Sequence, residues 1–223
     1  MKEKLLFIIA LISLSSLSAT TCKDKKPSKS PTEKELTELI LIQTKYSNNS
    51  EGVPALIYAV IKNDVKAIDL LLKNGADPFT IDCKRQSCFY HAVIAGHLDL
   101  VKKFISLGHN PINLFDVNKH PESPILTSFC QSIYFGQPKV AMYLLEKGYY
   151  YPEALDLATF LMLSHPKAQF PKNRRQEFVL HFISRGLDLN STEIQGRTHL
   201  QHFLLAHPND TEMADFLRNL GAE

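Results

Sequence analysis

The chain has 223 residues, of which 44% are hydrophobic and 22% charged, a balance that suits a globular protein with a real core. Its formal charge of +2 sits at the front: residues 23–34 hold five lysines against two acids, whereas residues 35–223 hold 18 basic and 20 acidic residues. The folded part therefore lacks the basic excess of a nucleic-acid binder, and nucleic acid is excluded as a partner.

The first element, residues 1–22, reads as an export signal. Lys2 and Lys4 flank the start, "LLFIIALI" (Leu5 to Ile12) is the apolar stretch, and small residues follow. The run is far short of the ~20 residues of a bilayer-spanning helix, so a signal peptide fits better. "LSATTC" followed by a polar, Lys-rich tether (23–31) resembles a bacterial lipoprotein signal, which would make Cys22 a lipidated N-terminus. Ala19 and Thr21 depart from that pattern, and cleavage after Ser18 or Ala19 is the other route. Either route puts the protein outside the cytoplasm: in the periplasm, on a membrane through Cys22, or secreted.

Residues 32–50 predict a capping helix and linker, with Thr32 and Glu35 at capping-box spacing. Residues 51–223 then repeat one plan. "LLLKNGADP" (Leu70 to Pro78) ends a helix on glycine, and "KFISLGHNP", "YLLEKGYYY", "HFISRGLDL" and "DFLRNLGAE" do so again. The marker glycines are Gly75, Gly108, Gly148, Gly186 and Gly221, spaced 33, 40, 38 and 35 residues apart. Before the first two, "LIYAVIKNDVKAIDLLLKNGADP" aligns with "FYHAVIAGHLDLVKKFISLGHNP" without a gap. Each copy predicts a short apolar helix, a turn at Asn63-Asp64 or Gly96-His97, and a second amphipathic helix. The buried faces are expected at Val65, Ile68, Leu71 and Leu72, and at Leu98, Val101, Phe104 and Ile105. Helices this short are marginal alone, so each pair hides its apolar face against the next.

A 33-residue period of two helices and an extended turn resembles the ankyrin repeat family. The family's T-P-L-H-x-A start shows degenerately as "PALIYA" (54–59), "SCFYHA" (87–92), "EALDLA" (153–158) and "THLQHF" (198–203). The preceding glycine is kept at Gly52 and Gly196 and replaced by Arg85, and L-L-x-x-G-A-D is intact at Leu71–Asp77. The resemblance implies an all-α solenoid of about five repeats behind an N-terminal capping helix. Seven extra residues between Gly108 and Gly148 are expected in a longer hairpin, "FDVNKHPES", and in a helix beginning near Ser123-Pro124. After Gly148 the hairpin nearly vanishes: "GYYYP" leads into a helix that can start at Pro152. In the same repeat "HPKAQFPKN" (165–173) interrupts the helices with two prolines.

The resemblance also implies a non-enzymatic, monomeric module that binds another protein through hairpin tips and first helices. Through the register the tip residues are Lys84, Arg85 and Gln86, then Asp116, Asn118, Lys119 and His120, and finally Glu193, Gln195 and Arg197. Tyr149, Tyr150 and Tyr151 stand where a hairpin is missing. Either they plug the gap, or at least one faces solvent, where tyrosine and arginine are the residues most enriched in binding hot spots. The partner class stays open among an envelope protein, a toxin neutralised by an inhibitor or immunity protein, and a target reached by a secreted effector.

No cofactor is implied: no phosphate-cradling glycine loop, G-x-S-x-G elbow or H-E-x-x-H occurs. Histidine is the residue to weigh, with nine copies. His199 and His202 share a predicted helix face, and His207 or His165 could complete a metal site. The alternative is that His202 packs between helices and the others are exposed. Cys83 and Cys88 are near enough in sequence to be considered for a disulfide, but Cys83, Cys88 and Cys130 read better as small buried side chains.

Overall fold

The computed structural model describes residues 32–47, 53–112, 127–192 and 194–223. The signal, the tether, most of the second tip and Glu193 lie outside these residues. Eleven α-helices occur among the described residues. A first helix, α1 (Glu33–Ser47), is followed by five pairs: α2 (Ala55–Ile61) with α3 (Val65–Lys73), α4 (Cys88–Ile94) with α5 (Leu98–Ser106), α6 (Ser128–Tyr134) with α7 (Pro138–Glu146), α8 (Ala154–Leu163) with α9 (Arg175–Ile183), and α10 (His199–Ala206) with α11 (Thr211–Asn219).

Each second helix stops in the same way. The residue after the glycine donates its N–H to the carbonyl five residues back: Ala76 to Leu71 (3.0 Å), His109 to Phe104 (3.1 Å), Tyr149 to Leu144 (2.8 Å), Leu187 to Phe182 (3.0 Å) and Ala222 to Leu217 (3.1 Å). This is the Schellman closure, and it needs a left-handed residue at the glycine, as at Gly75 with φ +88°. Helix starts are equally local. Asp64, Ser87, Thr127, Thr198 and Asp210 each accept the backbone N–H three residues on, and Thr198 with Gln201 closes a capping box. Thr32 and Glu35 form the expected reciprocal pair ahead of α1.

Packing then carries the stack. The first helices touch in series from α2 through α4, α6 and α8 to α10, and α1 packs on α2 and α3. Leu71, Phe104, Phe129, Leu144, Phe178, Phe182, Phe203 and Leu217 are buried in one continuous core. On α3 the buried stripe is Ala67, Ile68 and Leu71, and on α5 it is Leu100, Val101 and Phe104. Val65, expected inside, is exposed at the first position of α3, and the buried face begins with Ala67 and Ile68. On the second-helix side Lys73 pairs with Glu35, Lys103 with Asp69, and Lys102 lies 5.3 Å from the Tyr143 ring centroid. The first of these contacts ties α1 to the first repeat, and the other two each join one repeat to the next.

The turns inside the repeats interlock as well. Gln137 donates to Ile94 O (2.9 Å) across the repeat boundary, and a Cβ on Gly96 would meet its Oε1 at 2.1 Å. Gln169, in the interrupted fourth repeat, donates its N–H to Tyr134 O (2.9 Å). Residues 165–171 are non-helical, and a 3-10 turn at Lys172–Arg174 leads into α9, as the prolines require. Two expected helix starts move. The third repeat's first helix begins at Ser128 behind Thr127; the Ser123-Pro124 region lies outside the described residues. The fourth begins at Ala154, because Pro152 and Glu153 form a tighter turn in which Ala154 N–H bonds to Tyr151 O (2.9 Å).

Candidate functional site

The described segments that link a second helix to the next first helix lie at one end of the helix pairs. The fullest is the hairpin around residues 77–87. Ile81 and Ser87 pair as an isolated antiparallel bridge, Asp82 N–H bonds to Gln86 O (3.0 Å), and Arg85 N–H bonds to Asp82 O (2.9 Å). The buried Asp82 carboxylate organises the loop. One oxygen accepts the N–H groups of Lys84 (2.9 Å) and Gln86 (2.8 Å), and the other lies 3.0 Å from His91 Nε2. Burial works to raise its pKa, but the Gln86 N–H, His91 and the Lys84 N–H outweigh it and hold the carboxyl below its ordinary value.

That clamp holds Arg85 at φ +63°, where the family pattern has glycine. A side chain in the left-handed region costs roughly 1 kcal/mol, so the hairpin carries local strain at an exposed cation. Lys84 and Arg85 are exposed, whereas Gln86, expected to project with them, is half-buried because its backbone closes the hairpin on Asp82. Beside them stand two residues that sequence reasoning missed: Phe79 and Ile81, 51% and 48% exposed. Alternation around the hairpin strand was the available signal.

Beneath Phe79 lies His109, the residue after Gly108. Its ring stacks on Phe79 (4.6 Å between centroids) and meets Phe89 (5.5 Å) and Phe104 (5.4 Å), while Nε2 lies 2.9 Å from Pro78 O. Burial pushes its pKa down. His109 is thus the hinge pin between hairpin and core.

The tyrosine linker divides its labour. Tyr149 meets Tyr143 (6.4 Å between ring centroids) and Tyr150 meets Phe129 (5.6 Å), both half-buried, whereas Tyr151 is 42% exposed. Both expectations hold, on different residues. At the final hairpin Gln195 and Arg197 are exposed, and Gln195 (φ +54°) and Gly196 (φ +68°) make the reversal. Asp116, Asn118, Lys119, His120 and Glu193 fall outside the described residues. The first helices offer less than expected: α4, α6 and α8 are buried over most of their length.

The histidines do not gather around a common point. His199 Nε2 lies 2.9 Å from Asp156 Oδ1, His202 Nε2 lies 2.8 Å from Ile194 O, His165 packs against Tyr134 and Phe160, and His207 against Phe203. His199, expected at the surface in the non-metal reading, is buried, and its desolvation outweighs Asp156 to push its pKa down. Among the described residues no group of three or more His, Cys, Asp or Glu is placed to hold a metal ion. Cys83, Cys88 and Cys130 are free thiols; burial pushes the latter two up to about 12. Cys83 is exposed rather than buried, because it rides the hairpin tip.

A stack of helix pairs joined by such hairpins is an ankyrin architecture, and two comparisons agree. The family model for ankyrin repeats, in units of three copies, matches residues 30–113 and 56–156. The chain belongs to the ankyrin repeat family. Among solved structures it is similar to the ankyrin repeat domain of Bcl-3, described as a unique member of the IkappaB protein family. The match has a TM-score of 0.52 and 22% identity over 78% of this chain and 74% of that one. No curated protein matches the sequence. The family-model match ends at residue 156, so the fourth and fifth repeats are recognised through the repeated closures at Gly186 and Gly221.

Proposed function

We propose that this protein is an exported, non-enzymatic scaffold that binds another protein along the edge formed by its inter-repeat segments. Ankyrin repeats are protein-protein interaction modules, and the feature that supports the reading here is the separation of duties at that edge. Asp82 takes up the Lys84 and Gln86 N–H groups and the Schellman closures end the second helices from within the backbone, while Lys84, Arg85, Tyr151, Gln195 and Arg197 are exposed. The register assigns Asp116, Asn118, Lys119, His120 and Glu193 to the same edge.

The test is affinity capture of a partner followed by titration with variants. Arg85→Ala and Tyr151→Ala should each weaken binding by ~1 kcal/mol or more with the melting curve unchanged. Lys66→Ala, on the exposed side of α3, should do almost nothing. A reversed order would put the binding face elsewhere. Export rests on the residues 1–22, and Cys22 offers a lipid anchor. Intact mass of the mature protein separates a diacyl or triacyl chain starting at Cys22 from an unmodified start at Ala19 or Thr20.

A further inference from the structure

The first hairpin differs from the other described junctions in the chemistry it shows to solvent. Phe79 and Ile81 are exposed, and so are Lys84 and Arg85 further along the same hairpin. Between Phe79 and Ser87 the one carboxylate is Asp82, which is buried against His91 and two backbone N–H groups. From Phe79 to Ser87 the exposed side chains are therefore apolar, cationic or uncharged, with the exposed Asp77 carboxylate just before them. The described part of the final hairpin, by contrast, exposes no large hydrophobic residue.

The tip is also built in advance. One face of the Phe79 ring rests on His109, which is itself held by Pro78 O, Phe89 and Phe104. The Asp82 clamp holds Arg85 in a backbone conformation that glycine would adopt without strain. Side chains ordered before binding lose little freedom on contact, which is where affinity is gained for a small surface.

Resting on the protein-binding reading above, we propose that this hairpin docks a partner segment presenting a carboxylate next to an aromatic or aliphatic side chain. Phe79 and Ile81 cover the apolar group, and the Arg85 guanidinium, with Lys84 beside it, takes the carboxylate. An anionic membrane is the less suitable occupant. Asp77 is exposed two residues before Phe79, and sinking that ring into a bilayer would press its carboxylate against anionic headgroups.

A phage library of random twelve-residue peptides, panned against the full chain, tests this directly. Enriched peptides should carry Asp or Glu within about three positions of Phe, Tyr, Trp or Leu. For a synthetic consensus peptide, Phe79→Ser and Arg85→Glu should each weaken Kd at least tenfold, as measured by fluorescence anisotropy. Reversing the peptide's acidic residue to Lys should restore binding to Arg85→Glu, and Arg85→Glu lies on an exposed tip, so its outcome does not depend on folding. If enriched peptides bound wild type and both variants equally, the hairpin assignment would fail while the protein-binding reading stood. If no peptide family emerged, both would lose support. If the variants changed binding only to vesicles of equal phosphatidylglycerol and phosphatidylcholine, the hairpin would be a membrane contact and the proposal overturned.

Discussion

The first hairpin and the Tyr149–Tyr151 linker solve one problem by opposite means. Both must carry the chain from a second helix back to the next first helix. The hairpin does it with hydrogen bonds: a buried carboxylate, a bridge and one strained residue, which together let its side chains stand in solvent. The linker does it with packing: two aromatic rings fold onto the core, and one tyrosine is left outside. A polar loop of this kind spends few side chains on its own stability, so it has more to offer a partner. A packed loop keeps most of them for the fold.

The largest test of this contrast lies beneath the two segments. Phe104→Ala, under the hairpin through His109, and Phe129→Ala, under Tyr150, should each cost about 3–5 kcal/mol in urea unfolding, because both rings are fully buried. If either were nearly neutral, the corresponding segment would not be seated on the core as described.

Asp82→Ala should cost about 1–3 kcal/mol, since it leaves two backbone N–H groups and a buried imidazole without their acceptor. Hydrogen exchange should quicken at Lys84 and Gln86 and stay unchanged at Tyr149–Tyr151. Equal quickening at both places would erase the distinction between a hydrogen-bonded and a packed loop.

Acid should act on the same device and on its histidine neighbours. Burial depresses the folded-state pKa of His109 and of His199, and the hydrogen bonds to Asp82 depress its own. For all three the stabilising form is the less protonated one. Their contribution is therefore complete above the unfolded histidine pKa of about 6.5 and falls away as pH drops below it, with Asp82 following below about 4. The melting temperature should be lower at pH 5 than at pH 7.5, and a His109→Asn, His199→Asn double variant should flatten that slope.

Smaller effects probe the surfaces. Arg85→Gly should raise stability by roughly 0.5–1 kcal/mol by relieving the left-handed backbone, and should weaken partner binding at the same time. Tyr151→Ala should change stability by less than about 0.5 kcal/mol, whereas Tyr150→Ala, which empties a contact with Phe129, should cost more than that. Equal costs for the two tyrosines would mean that both contribute alike to seating the linker.

Much of this molecule was legible in sequence because ankyrin-type order is local. Glycine at the end of each second helix, the Thr32–Glu35 spacing and the Asn63-Asp64 turn are short-range signals, and each appears in the structure as a short-range hydrogen bond. What the sequence alone left open depends on contacts between distant residues. Thr127 as the third repeat's cap was hidden by an insertion that broke the spacing. Nothing local in the sequence marks His199 as buried, because its partner, Asp156, is 43 residues away. Phe79 was missed as an exposed ring because His109, from the next repeat, fixes which of its faces is covered. Local hydrogen bonding determines where each helix begins and ends, but only the stacking of one repeat on the next decides which side chains are left for a partner.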